Sequence, residues 1–207
     1  MANFTGTHAF DTFIGGDGND TAVGNKGNDT LFGGGGSDYL SGGGGNDSLE
    51  GGLANDTISG GWGSDYIDGG KGNDEVYGGA GADLIKGGNG SDTLYGGSGE
   101  DVIYGDGGSD FIYGGYGADM IDGGSGHDVI VGGLGDDTVT GGYGADTFIL
   151  STTGGTDTIT DFDIRKDSIQ FEGNHTPKGI SYSVNGSDTE VFHGDDLIAI
   201  VEGVELS

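Results

Sequence analysis

The chain has no cysteine, a single proline, six basic residues and no long apolar run among its 207 residues. Without cysteine there are no disulfides and no thiolate metal ligands. One proline excludes a collagen-like triple helix, although 53 residues are glycine. The shortage of positive charge is as telling, because six Lys and Arg face 35 Asp and Glu for a formal charge of −29. That sign opposes nucleic acid, anionic lipid and other polyanions. Multivalent cations are the natural partner. No apolar stretch reaches the roughly 18 residues of a membrane-spanning helix, and no basic-then-apolar start marks a cleavable signal peptide. Apolar residues are 31% of the chain, and a polypeptide so poor in them and so charged tends to stay disordered unassisted. Something besides a hydrophobic core must order it.

What is present is a period of nine. Aspartate stands at Asp11, Asp20, Asp29, Asp38, Asp47, Asp56, Asp65, Asp74, Asp83, Asp92, Asp101, Asp110, Asp119, Asp128, Asp137 and Asp146, without one insertion. Each closes a glycine-rich hexapeptide and precedes three residues whose middle member is apolar, from Phe13 through Leu31, Ile58 and Ile103 to Phe148; only Ala22 is small. This predicts a six-residue turn and a three-residue strand in alternation, the middle side chain pointing to an interior and its neighbours outward. Glycine at turn positions one, two and four is expected to supply backbone conformations closed to other residues. Asn25 and Asp106 replace the second glycine with types that tolerate left-handed geometry. Ala54 replaces a fourth glycine, so a strained or empty site is expected there.

The repeats, as in GGWGSDYID and GGNGSDTLY, resemble the RTX (repeats-in-toxin) family, whose GGxGxDxUx unit is a calcium-binding β-helix repeat. The resemblance covers Gly15 to Ile149, with a degraded leading copy from Gly6 to Ile14. It implies an all-β fold: a parallel β-roll, that is, a two-sheet right-handed β-helix, in which two nonapeptides make one coil and residues 18 apart stack. The expected organisation is a degenerate first repeat and N-terminal edge at 1–14, the calcium-binding roll at 15–149 and a small β-rich C-terminal cap at 150–207. Two bare carboxylates about 4.8 Å apart repel by roughly 3 kcal/mol at an effective dielectric of 20. One ion between each stacked pair gives roughly 14 Ca2+, whose charge nearly cancels that of the chain. Calcium suits such a site because it accepts many oxygen ligands, carboxylate and carbonyl, in flexible geometry. In the family each ion is held by carbonyls and aspartates of two stacked turns. Carried onto this chain, one site comprises Gly61, Gly63 and Asp65 with Gly78, Ala80 and Asp83. A calcium-driven transition from disorder to order is the expected consequence, as is export in unfolded form by a bacterium and folding outside the cell.

After Ile149 the period breaks. The stretch through Asp157, Ile159, Asp161, Phe162, Asp167 and Ile169 also resembles the family's last repeat. Asp157, Asp161, Asp163 and Asp167 read equally as one more ion site or as a solvated loop. Ile180–Val184, Thr189–His193 and Leu197–Val201 read as strands joined by turns. The ending VEGVELS weakly matches an uncleaved type I secretion signal.

Outward positions form ladders of their own. Tyr77, Tyr95 and Tyr113 stack beside Phe111 and Val129, and Leu84, Val102 and Met120 stack beside Tyr104. Such a strip is either cross-strand packing or a docking face for a saccharide or a second copy. Neither H-E-x-x-H nor G-x-S-x-G occurs, and carboxylates clamped on a cation are neither acids nor bases at neutral pH. The reading is therefore a non-catalytic calcium-binding extracellular module. The alternatives are an adhesive or polysaccharide-binding module using the tyrosine ladder, or the non-catalytic C-terminal part of a secreted enzyme.

Overall fold

A computed structural model of the protein describes residues 1–172 and 178–204. Among these there are only strands, turns and bends. The strands form two sheets, one of ten strands and one of fourteen, and from Asn3–Thr5 to Met120–Asp122 successive strands alternate between them. Over that stretch strands two places apart in sequence pair in parallel. Ile85 lies between Ile67 and Ile103, and Leu94 between Val76 and Ile112, so partners are eighteen residues apart. This is the parallel β-roll, with two nonapeptides to a coil.

Alternation drives the register. In Leu84–Asn89 the middle Ile85 is fully buried while Leu84 and Lys86 are half-buried. The same holds along the chain, from Phe13 at 8% exposure to Ile58, Ile103 and Ile112 at 0%, giving a core one side chain wide. A slip of one residue would expose every one of these side chains, so the register is strongly specified. The core also begins one repeat earlier than Phe13, because Phe4 stacks on it with ring centroids 5.4 Å apart.

Two expectations need correction. Most strands of the repeat region are six residues long rather than three. In Leu84–Asn89, Lys86 pairs with Tyr104, Gly87 is skipped, and Gly88 and Asn89 pair with Asp106 and Gly107. Identical turns stacked at strand spacing bring their own N–H and C=O groups within reach, so the turn backbone joins the ladder as well. The first glycine is the corner between two short ladders. Second, within the nonapeptide repeats positive φ is confined to turn positions two and four, as at Gly97 (111°) and Gly99 (137°), and position one has an ordinary φ. Asn25, Ala54 and Asp106 take φ of 79°, 72° and 65°, so the strain expected at Ala54 is present.

Beyond Ile149 the parallel ladders continue with longer connections. Val139 stacks on Ile159 and Phe148 on Ile169, and Phe162 packs on Phe148 at 5.8 Å. Asp157–Ile159 pairs with Asp196–Val201, which leads antiparallel into Asp188–His193 and Ile180–Asn185. The three strands expected here match within a residue at each end. The last three residues of VEGVELS lie outside the described residues. Among the described residues no helix is long and apolar enough to cross a membrane.

Candidate metal centre

The repeating aspartates fold inward at the two edges where the sheets meet. From Asp29 onward each uses Oδ1 to accept the backbone N–H of the aspartate eighteen residues earlier. Asp65 accepts from Asp47 at 2.7 Å, Asp83 from Asp65 at 2.8 Å and Asp101 from Asp83 at 2.8 Å. The other edge repeats this, with Asp92 accepting from Asp74 and Asp110 from Asp92, both at 2.8 Å.

The second oxygen is the informative one. Oδ2 of Asp29, Asp38, Asp47, Asp56, Asp65, Asp74, Asp83, Asp92, Asp101, Asp110, Asp119, Asp128 and Asp137 is buried and has no hydrogen-bond partner. A buried carboxylate oxygen without a donor is costly in any protein, and thirteen in two columns require a common explanation. Backbone carbonyls face them. A methyl group on Gly105 would stand 2.6 Å from Asp110 Oδ2 and 2.5 Å from the Gly123 carbonyl oxygen. On Gly69 it would stand 2.7 Å from Asp74 Oδ2 and 2.6 Å from the Gly87 oxygen. Position one is therefore glycine for room: two acceptors converge above it with no hydrogen between them. Such a cradle accepts a hard cation. Its donors are all oxygen, which suits calcium rather than zinc.

Electrostatics agree. Burial, opposed by the accepted N–H bond and reinforced by stacked carboxylates, raises the pKa of Asp56, Asp83, Asp110 and Asp119 to about 7 and that of Asp65, Asp74 and Asp128 to about 6. Metal-free, the ladder resists ionising. A cation in each cradle would remove that resistance.

In the site carried over from the family, Asp65 Oδ2 and the Gly78 carbonyl share one cradle over Gly60, where a methyl would stand 2.7 Å from the carbonyl oxygen and closer still to Oδ2. Asp83 joins through the Asp65 N–H. Ala80 is placed differently, its carbonyl accepting the Gly63 N–H at 2.7 Å. The Gly61 and Gly63 carbonyls press on Gly79 and Gly81. Three expected ligands are not among these thirteen. Asp11 accepts the Thr7 N–H at 2.5 Å and its hydroxyl at 3.0 Å. Asp20 accepts from Gly16 and Ala2 and lies 3.4 Å from the Met1 ammonium, and these contacts lower its pKa. Asp146 is buried and accepts from Asp128 at 3.0 Å.

The four cap aspartates are not gathered into one cluster. Asp157 extends one edge, accepting from Asp137 at 3.4 Å. Asp161 binds the N–H groups of Gly141 and Gly142, Asp163 pairs with Arg165 and Lys166, and Asp167 accepts from Asp146 and Asp163. Among the described residues no three His, Cys, Asp or Glu side chains converge as a metal site made of side chains alone would need. Any site must draw on the backbone.

A second ladder escaped the sequence reading. Where the residue before the aspartate has a suitable side chain, it often accepts the N–H of its counterpart on the next coil: Asn28 Oδ1 accepts from Asn46 at 2.9 Å and Asn46 Oδ1 from Ser64 at 3.1 Å. His127 Nδ1 does the same for Ala145 at 2.9 Å. The recurring Asn and Ser at that position were the available signal. On the outer face Tyr77 and Tyr95 lie 5.0 Å apart and within 6° of parallel. Side-by-side rings could not approach so closely, so the faces stack on each other and the edges face solvent.

Comparison with family patterns finds the RTX calcium-binding nonapeptide repeat (4 copies) at residues 6–40, 14–49, 41–76, 68–103, 77–112, 95–130, 113–148 and 122–159. Comparison with curated proteins finds no match. Among solved structures the chain is similar to the extracellular lipase LipA from Serratia marcescens, at 18% identity and a TM-score of 0.39. That similarity covers 100% of this chain and 38% of the lipase.

Proposed function

The chain belongs to the RTX calcium-binding nonapeptide-repeat family, and from that premise we propose that it is a structural module whose folding is driven by Ca2+ held between stacked GGxGxD turns. The observation that carries the reading is the two columns of buried Oδ2 atoms without partners, twelve of the thirteen facing a carbonyl of the next turn. Roughly 14 ions fill two edges of this length, one per stacked pair. In the calcium-poor interior of a bacterium the chain stays unfolded and suited to a narrow export channel, and it orders outside the cell. Residues 1–14 form the leading edge, 15–149 the ion-binding roll and 150–207 a cap covering the last coil. The module is non-catalytic, and any chemistry belongs to a partner domain of a larger secreted protein. A saccharide or second copy on the Tyr77, Tyr95 and Tyr113 face is the second reading. Because those rings already stack on one another, ladder packing accounts better for them.

Calcium titration of the full chain, followed by circular dichroism and ion counting by native mass spectrometry, tests the proposal. The expected result is a cooperative gain of β signal with uptake of about 14 ions. A folded spectrum in excess chelator that calcium leaves unchanged would overturn it.

A further inference from the structure

The nonapeptide motif ends at Asp137 on one edge and Asp146 on the other, and the two edges continue differently. On the Asp137 edge the next turn is Thr152-Thr153-Gly154-Gly155-Thr156-Asp157, which does not match GGxGxD. Its stacked strand is displaced by twenty residues instead of eighteen, Val139 facing Ile159. The second half of this turn nevertheless repeats the geometry of the calcium turns. Gly135 donates its N–H to the Gly154 carbonyl at 2.7 Å, as Gly117 donates to Leu134 at 2.8 Å. Gly155 has φ of 146°, against 141° at Gly135. Thr156 donates its N–H to Asp136 Oδ1 at 2.8 Å, continuing the outer ladder. Asp157 Oδ1 accepts the Asp137 N–H as Asp137 Oδ1 accepts that of Asp119. Independently, Asp137 is 1% exposed and its Oδ2 has no partner. The three atoms nearest a methyl on Gly132 all belong to Asp137, so this oxygen lacks the close next-turn carbonyl of the earlier cradles and is left to the carboxylate of the following turn.

The Asp146 edge differs. A methyl on Gly141 would stand 2.8 Å from Phe148 Cζ and 2.9 Å from Asp146 Oδ2, so an aromatic ring occupies the place that a carbonyl of the next turn holds in the earlier cradles. Asp146 Oδ2 is also not one of the buried oxygens without a partner.

We propose that the turn 152–157 forms one further divalent-cation site, closed by the carboxylates of Asp137 and Asp157 with backbone carbonyls of the two turns, and that Asp146 and Asp167 form none. The proposal rests on the calcium reading of the repeats. It gives the ion a second task. Asp157–Ile159 pairs with Asp196–Val201, and Thr156 Oγ1 donates to the Leu197 carbonyl at 2.9 Å, so the site anchors the C-terminal hairpin to the roll.

Ion counting on the unmodified chain, Asp157→Asn and Asp167→Asn at saturating calcium tests the asymmetry. Asp157→Asn is expected to lose one ion and Asp167→Asn none. A larger loss from Asp157→Asn than from Asp167→Asn supports the proposal, and equal or reversed losses overturn it. No bound calcium in any of the three would instead overturn the reading of the repeats. Anomalous diffraction from a terbium-soaked crystal of the unmodified chain keeps the test independent of how the variants fold. A peak between Asp137 and Asp157 supports the site, whereas peaks between the earlier stacked pairs with none there refute it.

Discussion

Replacing Asp83 by asparagine should change the sign of its effect on stability when calcium is added. Asp83 is 3% exposed, its Oδ1 holds the Asp65 N–H at 2.8 Å and its Oδ2 is unpartnered. Asparagine keeps the first contact and replaces the second oxygen with a donor amide. With calcium bound, the change disturbs the gaps on either side of the residue. At free calcium 100-fold above the site dissociation constant each ion contributes about 2.7 kcal/mol, so losing two removes about 5 kcal/mol. Without calcium the argument reverses. Burial raises the Asp83 pKa to about 7, so ionising it in the metal-free roll at pH 8 costs up to about 4 kcal/mol relative to an unfolded aspartate. Asparagine never bears that charge. The assay is far-UV circular dichroism in two arms at pH 8: urea unfolding at saturating calcium, and refolding by trimethylamine N-oxide in excess chelator, an osmolyte that favours burial. The variant should unfold at lower urea in the first arm and refold at lower osmolyte in the second. A variant weaker in both arms would show that the carboxylate is only a hydrogen-bond acceptor, and the electrostatic account of the ladder would be wrong.

The same shifts set a pH dependence. Because Asp56, Asp83, Asp110 and Asp119 have folded pKa values near 7, the metal-free fold binds more protons than the unfolded chain. Its stability is greatest below the ordinary aspartate range and falls as pH rises towards 7. In chelator the β signal should grow as pH is lowered from about 7 to about 4, and growth in the opposite direction would contradict the shifts. Gly69→Ala places a methyl 2.6 Å from the Gly87 carbonyl oxygen and 2.7 Å from Asp74 Oδ2, whereas a methyl on Gly16 meets nothing within 4 Å. The first should move the calcium midpoint of folding upward several-fold and Gly16→Ala should leave it in place, so equal midpoints in a calcium titration would remove the cradle.

Much of this architecture was legible because it is periodic. Ile103 and Asp74 recur at fixed offsets, so the core, the two edges and the eighteen-residue register follow from strand alternation and the family resemblance together. What stayed hidden depends on direction and distance. Nothing in a string of letters separates a glycine kept for its φ, such as Gly97, from one kept for room, such as Gly105. Asp157, Asp161, Asp163 and Asp167 read as one acidic cluster, yet backbone N–H groups on different coils draw them apart. The turn 152–157 escaped the motif because two inserted residues and two threonines change its letters while preserving half of its shape.

Each interior aspartate reaches one neighbouring turn through Oδ1 and faces the other through Oδ2, so filling one gap prepares the carboxylate that borders the next. If each gap takes one ion, as proposed, occupancy would spread along the coil like a closing zipper rather than as separate events. The steepness of the response to calcium is accordingly set by how many coils are linked: a protein with half as many turns would respond over a broader range of concentration even if every cradle were chemically identical.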